Sequence, residues 1–468
     1  MPPTSLKAPT TSSNPTLRKL EEWYDKHEKE IQDDFFSFLK IPSISADPAY
    51  KQDVLSAANW VRDYLQKSGM KAELWETSHY PVVFASKMVA ADRPTILFYH
   101  HYDVQPVDPL ELWKAPPFEP TIRGKEVYAR GAADNKGQCF YAMAALRAFF
   151  ELCDALRLNI KVFVEGEEES GSRGSVEIAK KRAKELKADH LLIVDLGIPA
   201  PGIPAITLGL RGITTMEVTV RNSNVDLHSG GHGGTVLNPN RALVNALSKL
   251  WDASGKIAVP GFYDAVKMPT KEEQKIFNQS FDETELSKNF GIRAFKPEPG
   301  FSLWESNFLR PTMEINGISG GYAGEGFKTV IPSVAKAKIS CRLVPDQDPD
   351  TIAALVAKYL KDQFPSELEV QVTLDHGGNP HRSSPSAPIA QICAGAYEEV
   401  LGKPCQKLLC GGSVPITSLL AEVTGAEVAM IGVALDTDDF HAPNEHFGLD
   451  RLRQGFLTIG RILAKVNA

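Results

Sequence analysis

Four short and almost continuously apolar segments constrain the fold of this chain most strongly. They are residues 95–99, 160–164, 191–194 and 428–433. Segments of this length without alternation are typical of strands that are buried on both faces, as in a parallel sheet covered by helices. Helical patterns lie at residues 53–67, 139–150 and 176–187. The sequence therefore predicts an α/β domain with a mostly parallel sheet and helices on both faces.

A second set of segments alternates between apolar and polar residues, at 216–221, 335–343 and 368–375. This pattern is typical of an antiparallel sheet with one covered and one exposed face. Two helix starts accompany these strands, because Asn238 and Asp348 each precede a proline. We therefore predict an inserted α+β domain over residues 210–380, with the order strand, helix, strand, strand, helix, strand. The first domain would comprise residues 17–209 and 381–468.

Composition excludes several classes of protein. A chain of 468 residues is too long for one ordinary core. A net charge of −7 provides no basic surface for nucleic acid or membrane, and no apolar stretch approaches the roughly 20 residues of a membrane span. Residues 1–16 lack an apolar signal sequence and predict a disordered tail. The six cysteines are dispersed without a C-x-x-C spacing, which favours a reducing, cytoplasmic setting.

Polar residues cluster where the apolar strands end. Residues 100–103 (His-His-Tyr-Asp) follow the first strand, the acidic run 165–169 follows the second, and Asp195 follows the third. Asp134 comes after a turn at Gly131, and a fifth cluster at residues 436–446 contains His441 and His446. Each cluster alone is more typical of a solvated turn or a helix cap. Together they predict a functional site, because the carboxyl ends of parallel strands gather at one edge of a sheet.

The residue types in these clusters indicate the class of metal. Imidazole with several carboxylates and no thiolate suits zinc, manganese or cobalt. Several carboxylates between two histidines fit a pair of ions about 3.5–4 Å apart that share one bridging carboxylate. Such a pair activates a water and polarises a carbonyl. One glutamate of the acidic run must then stay off the metal and take the proton of the water.

Five motifs resemble those of the two-metal family of aminoacylases, carboxypeptidases and dipeptidases, and most closely its cytosolic non-specific dipeptidase and carnosinase branch. They are His101-Tyr102-Asp103-Val104-Gln105-Pro106, Gly131-Ala132-Ala133-Asp134-Asn135-Lys136-Gly137, Glu168-Glu169-Ser170-Gly171-Ser172, Asp226-Leu227-His228-Ser229-Gly230 and Gly411-Gly412-Ser413. The resemblance extends in order from about Leu17 onward.

The resemblance implies two ligand sets that share one residue. His101, Asp134 and Asp195 would hold one ion, and Asp134, Glu169 and His441 the other. Glu168 would be the general base and later the proton donor to the leaving amine. Asp103 would orient His101 from behind, in a carboxylate–histidine–metal arrangement. A register shifted to Glu167 and Glu168 is the alternative.

The resemblance also implies residues that recognise the substrate. His228 lies on a glycine-rich loop that would otherwise be interpreted as a flexible turn, and the family's equivalent comes from the lid of the partner subunit and stabilises the oxyanion. Arg342, on a polar strand face, would bind the terminal carboxylate of the substrate. Ser413 would assist it from a helix N-terminus, and Thr329 and His376 match further contacts with substrate.

Three places in the sequence depart from the family pattern. His100 stands where the family usually has glycine, and Leu409-Cys410 replaces the Arg-Glu of the dipeptidase branch. The segment before His441, residues 438–440 (Asp-Asp-Phe), is more acidic and bulkier than usual. None of these changes removes a metal ligand. The change at Leu409-Cys410 removes two charges and bears on the preference for dipeptides.

The resulting prediction is a metallopeptidase that cleaves the amide bond of dipeptides or short peptides with a free C-terminal carboxylate. It would use two divalent ions per subunit, zinc foremost and manganese or cobalt as alternatives, and would form a homodimer through its inserted lid domain. One alternative is an N-acyl-amino-acid deacylase with the same metal site. A remote alternative is a binding protein without catalytic activity.

Overall fold

The structure is a computed structural model that describes residues 14–277, 281–412, 414 and 416–468. Its strands are β1 (Lys71–Trp75), β2 (Val82–Lys87), β3 (Thr95–His101), β4 (Thr121–Arg123), β5 (Glu126–Tyr128), β6 (Asn159–Glu165), β7 (His190–Val194), β8 (Ala205–Leu210), β9 (Gly212–Arg221), β10 (Leu227–His228), β11 (Thr312–Gly320), β12 (Val330–Ile331), β13 (Val334–Leu343), β14 (Glu369–Gly378), β15 (His381–Arg382), β16 (Gln406–Cys410), β17 (Glu427–Ile431) and β18 (His446–Gly448). Its helices are α1 (Pro15–Leu39), α2 (Lys51–Lys67), α3 (Lys136–Leu152), α4 (Arg173–Lys181), α5 (Ala183–Leu186), α6 (Ser229–His232), α7 (Pro239–Leu247), α8 (Lys271–Ile276), α9 (Glu283–Phe290), α10 (Leu303–Phe308), α11 (Pro349–Lys361), α12 (Pro388–Leu401), α13 (Thr417–Thr424) and α14 (Leu449–Val466).

The chain divides into two compact units. Unit 1 contains the chain up to Leu208, Ser383–Lys407 and Leu419–Ala468, and unit 2 contains Gly209–Arg382 and Leu408–Ser418. The chain crosses between the units four times, within β8, after β15, within β16 and within α13. None of the helices in the described ranges has the length and apolar character that a membrane span requires.

Unit 1 is built on a mixed sheet with the order β1-β2-β6-β3-β7-β17-β8. The pairs β6–β3, β3–β7 and β7–β17 at its centre are parallel. The pairs β1–β2, β2–β6 and β17–β8 are antiparallel. The α/β class is thus confirmed, and among these seven strands the three central pairs are parallel and the three outer pairs are antiparallel. Every residue of β3 and β6 is buried, as their apolar sequences predict.

The helices of unit 1 follow the sequence with one exception. The predicted helices at 53–67 and 139–150 are confirmed as α2 and α3. The single helix predicted at 176–187 is wrong, because α4 ends at Lys181 and α5 begins at Ala183. Between them Arg182 adopts φ −102° and ψ 22°, and its guanidinium lies 4.8 Å from the ring centre of Trp75. This cation–π contact accompanies the break.

Unit 2 contains a four-stranded antiparallel sheet with the order β11-β13-β9-β14. The residues of β9 alternate strictly between buried and half-buried. Helices α7 and α11 pack against the sheet, and each begins at the predicted cap, since Asn238 accepts from the amide of Asn240 and Asp348 from that of Thr351. The order β9-α7-β11-β13-α11-β14 matches the prediction.

Helix α1 packs against α3 through aromatic side chains. Phe35 is fully buried, and its ring stacks on Phe140 of α3 at 5.3 Å. We expect Phe35→Ala to lower the free energy of unfolding by about 3–5 kcal/mol, because it leaves a cavity between the two helices. The neighbouring Phe36 is only half-buried, so Phe36→Ala should cost less than half as much. Urea unfolding followed by circular dichroism measures both values, and equal losses would contradict the packing described.

Candidate metal centre

The central parallel strands bring the predicted ligands together at their carboxyl ends. His101 is the last residue of β3 and pairs with Glu165, the last residue of β6. The acidic run continues from β6 into a 3-10 turn at Glu168–Ser170, and Asp195 follows β7 directly. Because β3, β6 and β7 are neighbours with the same direction, residues that follow them lie at one edge of the sheet.

His101, Asp134 and Asp195 form the first group of possible metal ligands. Nε2 of His101 lies 3.0 Å from Oδ1 of Asp134 and 3.6 Å from Oδ1 of Asp195. The imidazole is fully buried, and its other nitrogen, Nδ1, lies 3.2 Å from the backbone carbonyl of Asp103 and 3.3 Å from Oδ1 of the same residue. The carbonyl and the carboxylate of Asp103 can therefore fix the orientation of the ring and leave Nε2 directed at the ligand group.

Asp134, Glu169 and His441 form the second group. Nε2 of His441 lies 2.9 Å from Oδ2 of Asp134 and 3.3 Å from Oε1 of Glu169. Asp134 thus directs Oδ1 to His101 and Oδ2 to His441. Two groups that share one carboxylate in this way have the arrangement of a bridged pair of metal sites.

The electrostatics of the cluster favour a bound cation. Burial raises the pKa of Asp195, and burial together with Asp134 raises the pKa of Glu169 to about 7. Hydrogen bonds to Asp134 and Glu169 raise the pKa of His441 to about 10. Burial alone would lower the pKa of His101, but the carboxylates around it raise that pKa well above its usual value.

The donor set also fits divalent metal ions chemically. Imidazole nitrogens and carboxylate oxygens without thiolates suit zinc, manganese or cobalt. Oε1 of Glu169 is buried and lies 3.3 Å from Nε2 of His441, which also faces Oδ2 of Asp134 at 2.9 Å. A buried carboxylate oxygen that shares its donor with a second carboxylate is incompletely satisfied, and coordination to a metal would satisfy it.

Glu168 lies beside both ligand groups and belongs to neither. Its carboxyl group is half-buried, and burial raises its pKa well above the usual value although His101 opposes that shift. The turn that carries it is held by Asp103, whose Oδ1 and Oδ2 accept from the amides of Glu168 and Glu169 at 3.2 and 3.1 Å. A carboxyl group with a raised pKa next to a metal centre has the properties of a general base.

The alternative register of the acidic run does not fit this geometry. The carboxylate of Glu167 is buried and directed elsewhere. Its Oε1 accepts from the amide of Ser175 at 2.6 Å, and its Oε2 lies 3.9 Å from Nδ1 of His79. These partners lie outside both ligand groups, so Glu167 contributes to the structure behind the turn.

Three side chains that support the ligands were missed in the sequence. Asn135 donates to Asp195 Oδ1 at 2.5 Å, Gln105 donates to Glu169 Oε2 at 2.7 Å, and Ser45 donates to Asp103 Oδ2 at 2.6 Å. Asn135 and Gln105 lie within recognised motifs, which was a usable signal. Ser45 lies outside every motif, and its sequence neighbours do not indicate its role.

The predicted substrate residues belong to unit 2. His228 is exposed, and its Nδ1 accepts from the amide of Gly230 at 3.0 Å. Thr329 directly precedes β12, whose Val330 pairs with His228, and the carbonyl of Thr329 accepts from the amide of Ser229 at 3.0 Å. His376 lies on β14, where its side chain is not described, and Ser413 lies outside the described residues.

Arg342 lies on the polar face of β13. It is half-buried, whereas Lys336 and Lys338 on the same face are exposed. Burial lowers the pKa of Arg342. Burial and the proximity of Arg342 lower the pKa of Arg211 to about 10, so two guanidinium groups lie near each other in unit 2. Arg211 also donates to the carbonyl of Gly411 at 2.8 Å, which holds the glycine loop that precedes Ser413.

Two departures from the family pattern serve the structure of unit 1. His100 is buried, and burial lowers its pKa to about 3, so its ring is neutral. Asp438 is also buried and binds Arg451 through both oxygens, at 2.6 Å for Oδ1 and 2.5 Å for Oδ2. The acidity before His441 is therefore partly neutralised within the core.

The third departure lies in unit 2. The side chain of Leu409 is buried and occupies the space that a side chain at Gly209 would need. Leu409 and Cys410 line a small pocket together with Arg211 and Arg382. The residues at these two positions therefore change the lining of a pocket that contains arginines.

Comparison with known proteins gives the family of this chain. Residues 97–465 match the sequence profile of peptidase family M20/M25/M40. A Cys-Gly metallodipeptidase of Schizosaccharomyces pombe is 30% identical over 473 residues, which cover 97% of this chain and 99% of that protein.

Solved structures of such proteins have the same fold. The M20 family metallo-carboxypeptidase Sso-CP2 from Sulfolobus solfataricus superimposes with a TM-score of 0.87 at 32% identity, covering 94% of this chain and 99% of that one. Human carnosine dipeptidase 1 has a TM-score of 0.83 at 28% identity, covering 97% and 99%. The protein described here therefore belongs to peptidase family M20/M25/M40.

Proposed function

We propose that this chain is a metal-dependent hydrolase that cleaves the amide bond of dipeptides or short peptides with a free C-terminal carboxylate. The observation that carries the proposal is the carboxylate of Asp134, which directs one oxygen to each of two histidine–carboxylate groups. The similar proteins include a Cys-Gly metallodipeptidase and a carnosine dipeptidase. Their names support dipeptides as the substrate class.

The ligand groups fit two divalent ions, zinc first and manganese or cobalt as alternatives. When bound, such ions polarise a scissile carbonyl and make a water more acidic. Glu168 is the residue that takes the proton of the attacking water and delivers it to the leaving amine. Asp103 supports both the metal ligand His101, which it faces, and the base Glu168, whose turn it holds through a hydrogen bond from the Glu168 amide.

Substrate recognition is assigned to unit 2. Nδ1 of His228 accepts a hydrogen bond from Gly230, so in the neutral imidazole the proton is on Nε2, which can donate to an oxyanion. Arg342 is proposed to bind the C-terminal carboxylate, because a planar guanidinium suits bidentate recognition. Ser413, Thr329 and His376 are proposed to complete the contacts.

We further propose that the protein is a homodimer in which unit 2 acts as the lid and dimerisation domain, with His228 serving the metal centre of the partner subunit. The exposure of His228 in the single chain is compatible with a role outside it. No disulfide bond links any of the six cysteines, all of which lie in the described part of the chain, and this supports the reducing cytoplasm as the location.

The substrate class is tested with chelator-treated protein resupplied with zinc or manganese. We expect the metal to restore cleavage of free dipeptides, because the two ligand groups bind it and Glu168 then has a water to activate. Hydrolysis is followed by chromatography of the released amino acids, with N-acetyl amino acids as the comparison. Cleavage of the acetylated compounds alone would replace the dipeptidase by a deacylase, and no turnover of either would overturn the proposal.

The role of Glu168 is tested by Glu168→Gln, which keeps the shape of the side chain and removes its basicity. We expect kcat on the best dipeptide to fall by about 10²–10⁴-fold, while the chelator-treated variant still binds the metal. Glu167→Gln is the matched control, because Glu167 is an adjacent buried carboxylate that is directed to Ser175. It should lower stability and leave kcat within a few-fold of the parent. The reverse order of effects would assign the base to Glu167.

The role of His228 across subunits is tested by complementation. Glu168→Gln and His228→Ala variants are each expected to be nearly inactive, because one lacks the base and the other the oxyanion donor. A heterodimer of the two contains one site with Glu168 and the intact His228 of the partner. Activity should therefore return to one of the two sites of each heterodimer. Tagged heterodimers purified in two affinity steps allow the rate to be measured. If the heterodimer stays as inactive as its parents, His228 acts within its own subunit or not at all.

A further inference from the structure

Glu445 has a buried carboxylate that accepts hydrogen bonds from one short loop, residues 130–134. Its Oε2 accepts from the amide of Gly131 and from Nη1 of Arg130, both at 2.8 Å. Its Oε1 accepts from the amides of Ala133 and Asp134, at 2.9 and 3.0 Å. An ionised carboxylate offers about four acceptor positions and no donor, so these four N–H groups match its full capacity.

The loop that Glu445 holds ends in the residue shared by both ligand groups. The amide of Asp134 is one of its donors, and the Asp134 carboxylate contacts both His101 and His441. Glu445 itself lies on the loop that carries His441 and leads into β18. One side chain therefore connects the loop of the shared carboxylate to the loop of the second histidine.

The loop of His441 needs such an external connection. Asp439, His441 and Asn444 have positive φ angles of 54°, 62° and 69°. A residue with a side chain has a steric cost in the left-handed region. Three such residues between positions 439 and 444 therefore persist only where the surrounding structure holds them. The hydrogen bonds of Glu445 supply part of that hold, and the amide of Ala129 adds a bond to the Glu445 carbonyl at 3.1 Å.

We propose that Glu445 is a positioning residue of the metal centre, which keeps Asp134 and His441 at the spacing at which they can share metal ions. It touches neither substrate nor the reacting atoms. The proposal concerns metal binding by this chain and holds whichever substrate is cleaved, so it can fail or succeed independently of the proposed peptidase activity.

Glu445→Gln tests this role, because an amide nitrogen replaces one oxygen and cannot accept from two N–H groups. We expect the affinity of the chelator-treated protein for zinc and for manganese to fall about 10–100-fold, as is typical when a residue that orients metal ligands is changed. Competition with a metal-sensitive chelator dye measures this affinity without any substrate. A variant that binds both metals within about twofold of the parent would overturn the proposal.

The matched control separates positioning from general stability. Glu298 also forms a largely buried, two-pronged pair with an arginine, at 2.7 and 3.0 Å from Arg310, and it lies in unit 2. Glu298→Gln should lower the midpoint of thermal unfolding and leave metal affinity unchanged. If Glu298→Gln weakens metal binding as much as Glu445→Gln, the effect is one of overall stability and the proposal fails.

A second variant covers the case in which Glu445→Gln does not fold. Arg130→Lys leaves Glu445 and its three backbone amides in place and removes the Nη1 bond and the contact of Nη2 with the carbonyl of Pro106. We expect a smaller loss of metal affinity, about threefold to tenfold, with kcat recovering at saturating metal. Parental affinity in Arg130→Lys, together with failure of Glu445→Gln to fold, would mean that Glu445 serves the fold alone.

Discussion

Repulsion between partly or largely buried carboxylates is the constraint on which the rest of the centre depends. Asp134, Asp195, Glu168 and Glu169 interact electrostatically with one another around His101. Burial raises the pKa of three of these carboxyl groups, whereas hydrogen bonds from the two imidazoles lower that of Asp134 despite its burial. Although burial opposes it at His101, the surrounding carboxylates raise the pKa of both histidines and so favour their protonated forms. A histidine that binds a metal must be neutral, so binding of a cation displaces those protons. The same side chains therefore hold protons in the absence of metal and would hold the metal in its presence.

The ligands are held by carboxylates that do not themselves belong to the two groups. Asp103 accepts from the amides of Glu168 and Glu169, and Glu445 accepts from three amides of the loop that ends at Asp134. In both cases the acceptor fixes a backbone segment, and the segment then fixes its side chains. This arrangement explains how loops without regular secondary structure can present oxygens at defined positions. Asp103 also places a further carboxylate behind His101, whereas the charge of Glu445 is balanced by Arg130 at 2.8 Å.

Much of the fold could be predicted because its signals are local. Continuous apolar runs identified β3, β6 and β7, and capped prolines identified the starts of α7 and α11. The supporting contacts could not be predicted, because they join distant segments. Ser45 reaches Asp103, and Glu445 reaches the loop at Gly131, only after the chain has folded. The contact of Arg182 with Trp75 at the break between α4 and α5 likewise joins residues that are far apart in sequence. Departures from a motif are ambiguous for the same reason: Asp438 adds charge in sequence, but in the fold it pairs with Arg451.

The two units meet opposite electrostatic demands. Unit 1 concentrates carboxylates and favours cations, whereas unit 2 brings Arg211 and Arg342 near each other at partly or largely buried positions. Two guanidinium groups in such a setting disfavour each other and favour an anion, which is the demand that a free carboxylate satisfies. The neighbouring lysines of β13 remain exposed and need no such partner. Arg211 also donates a hydrogen bond to the carbonyl of Gly411. The loop at Gly411 is therefore both held by this guanidinium and close to its positive charge. Cys410 interacts electrostatically with both guanidinium groups and opposes the lowering of their pKa values by burial.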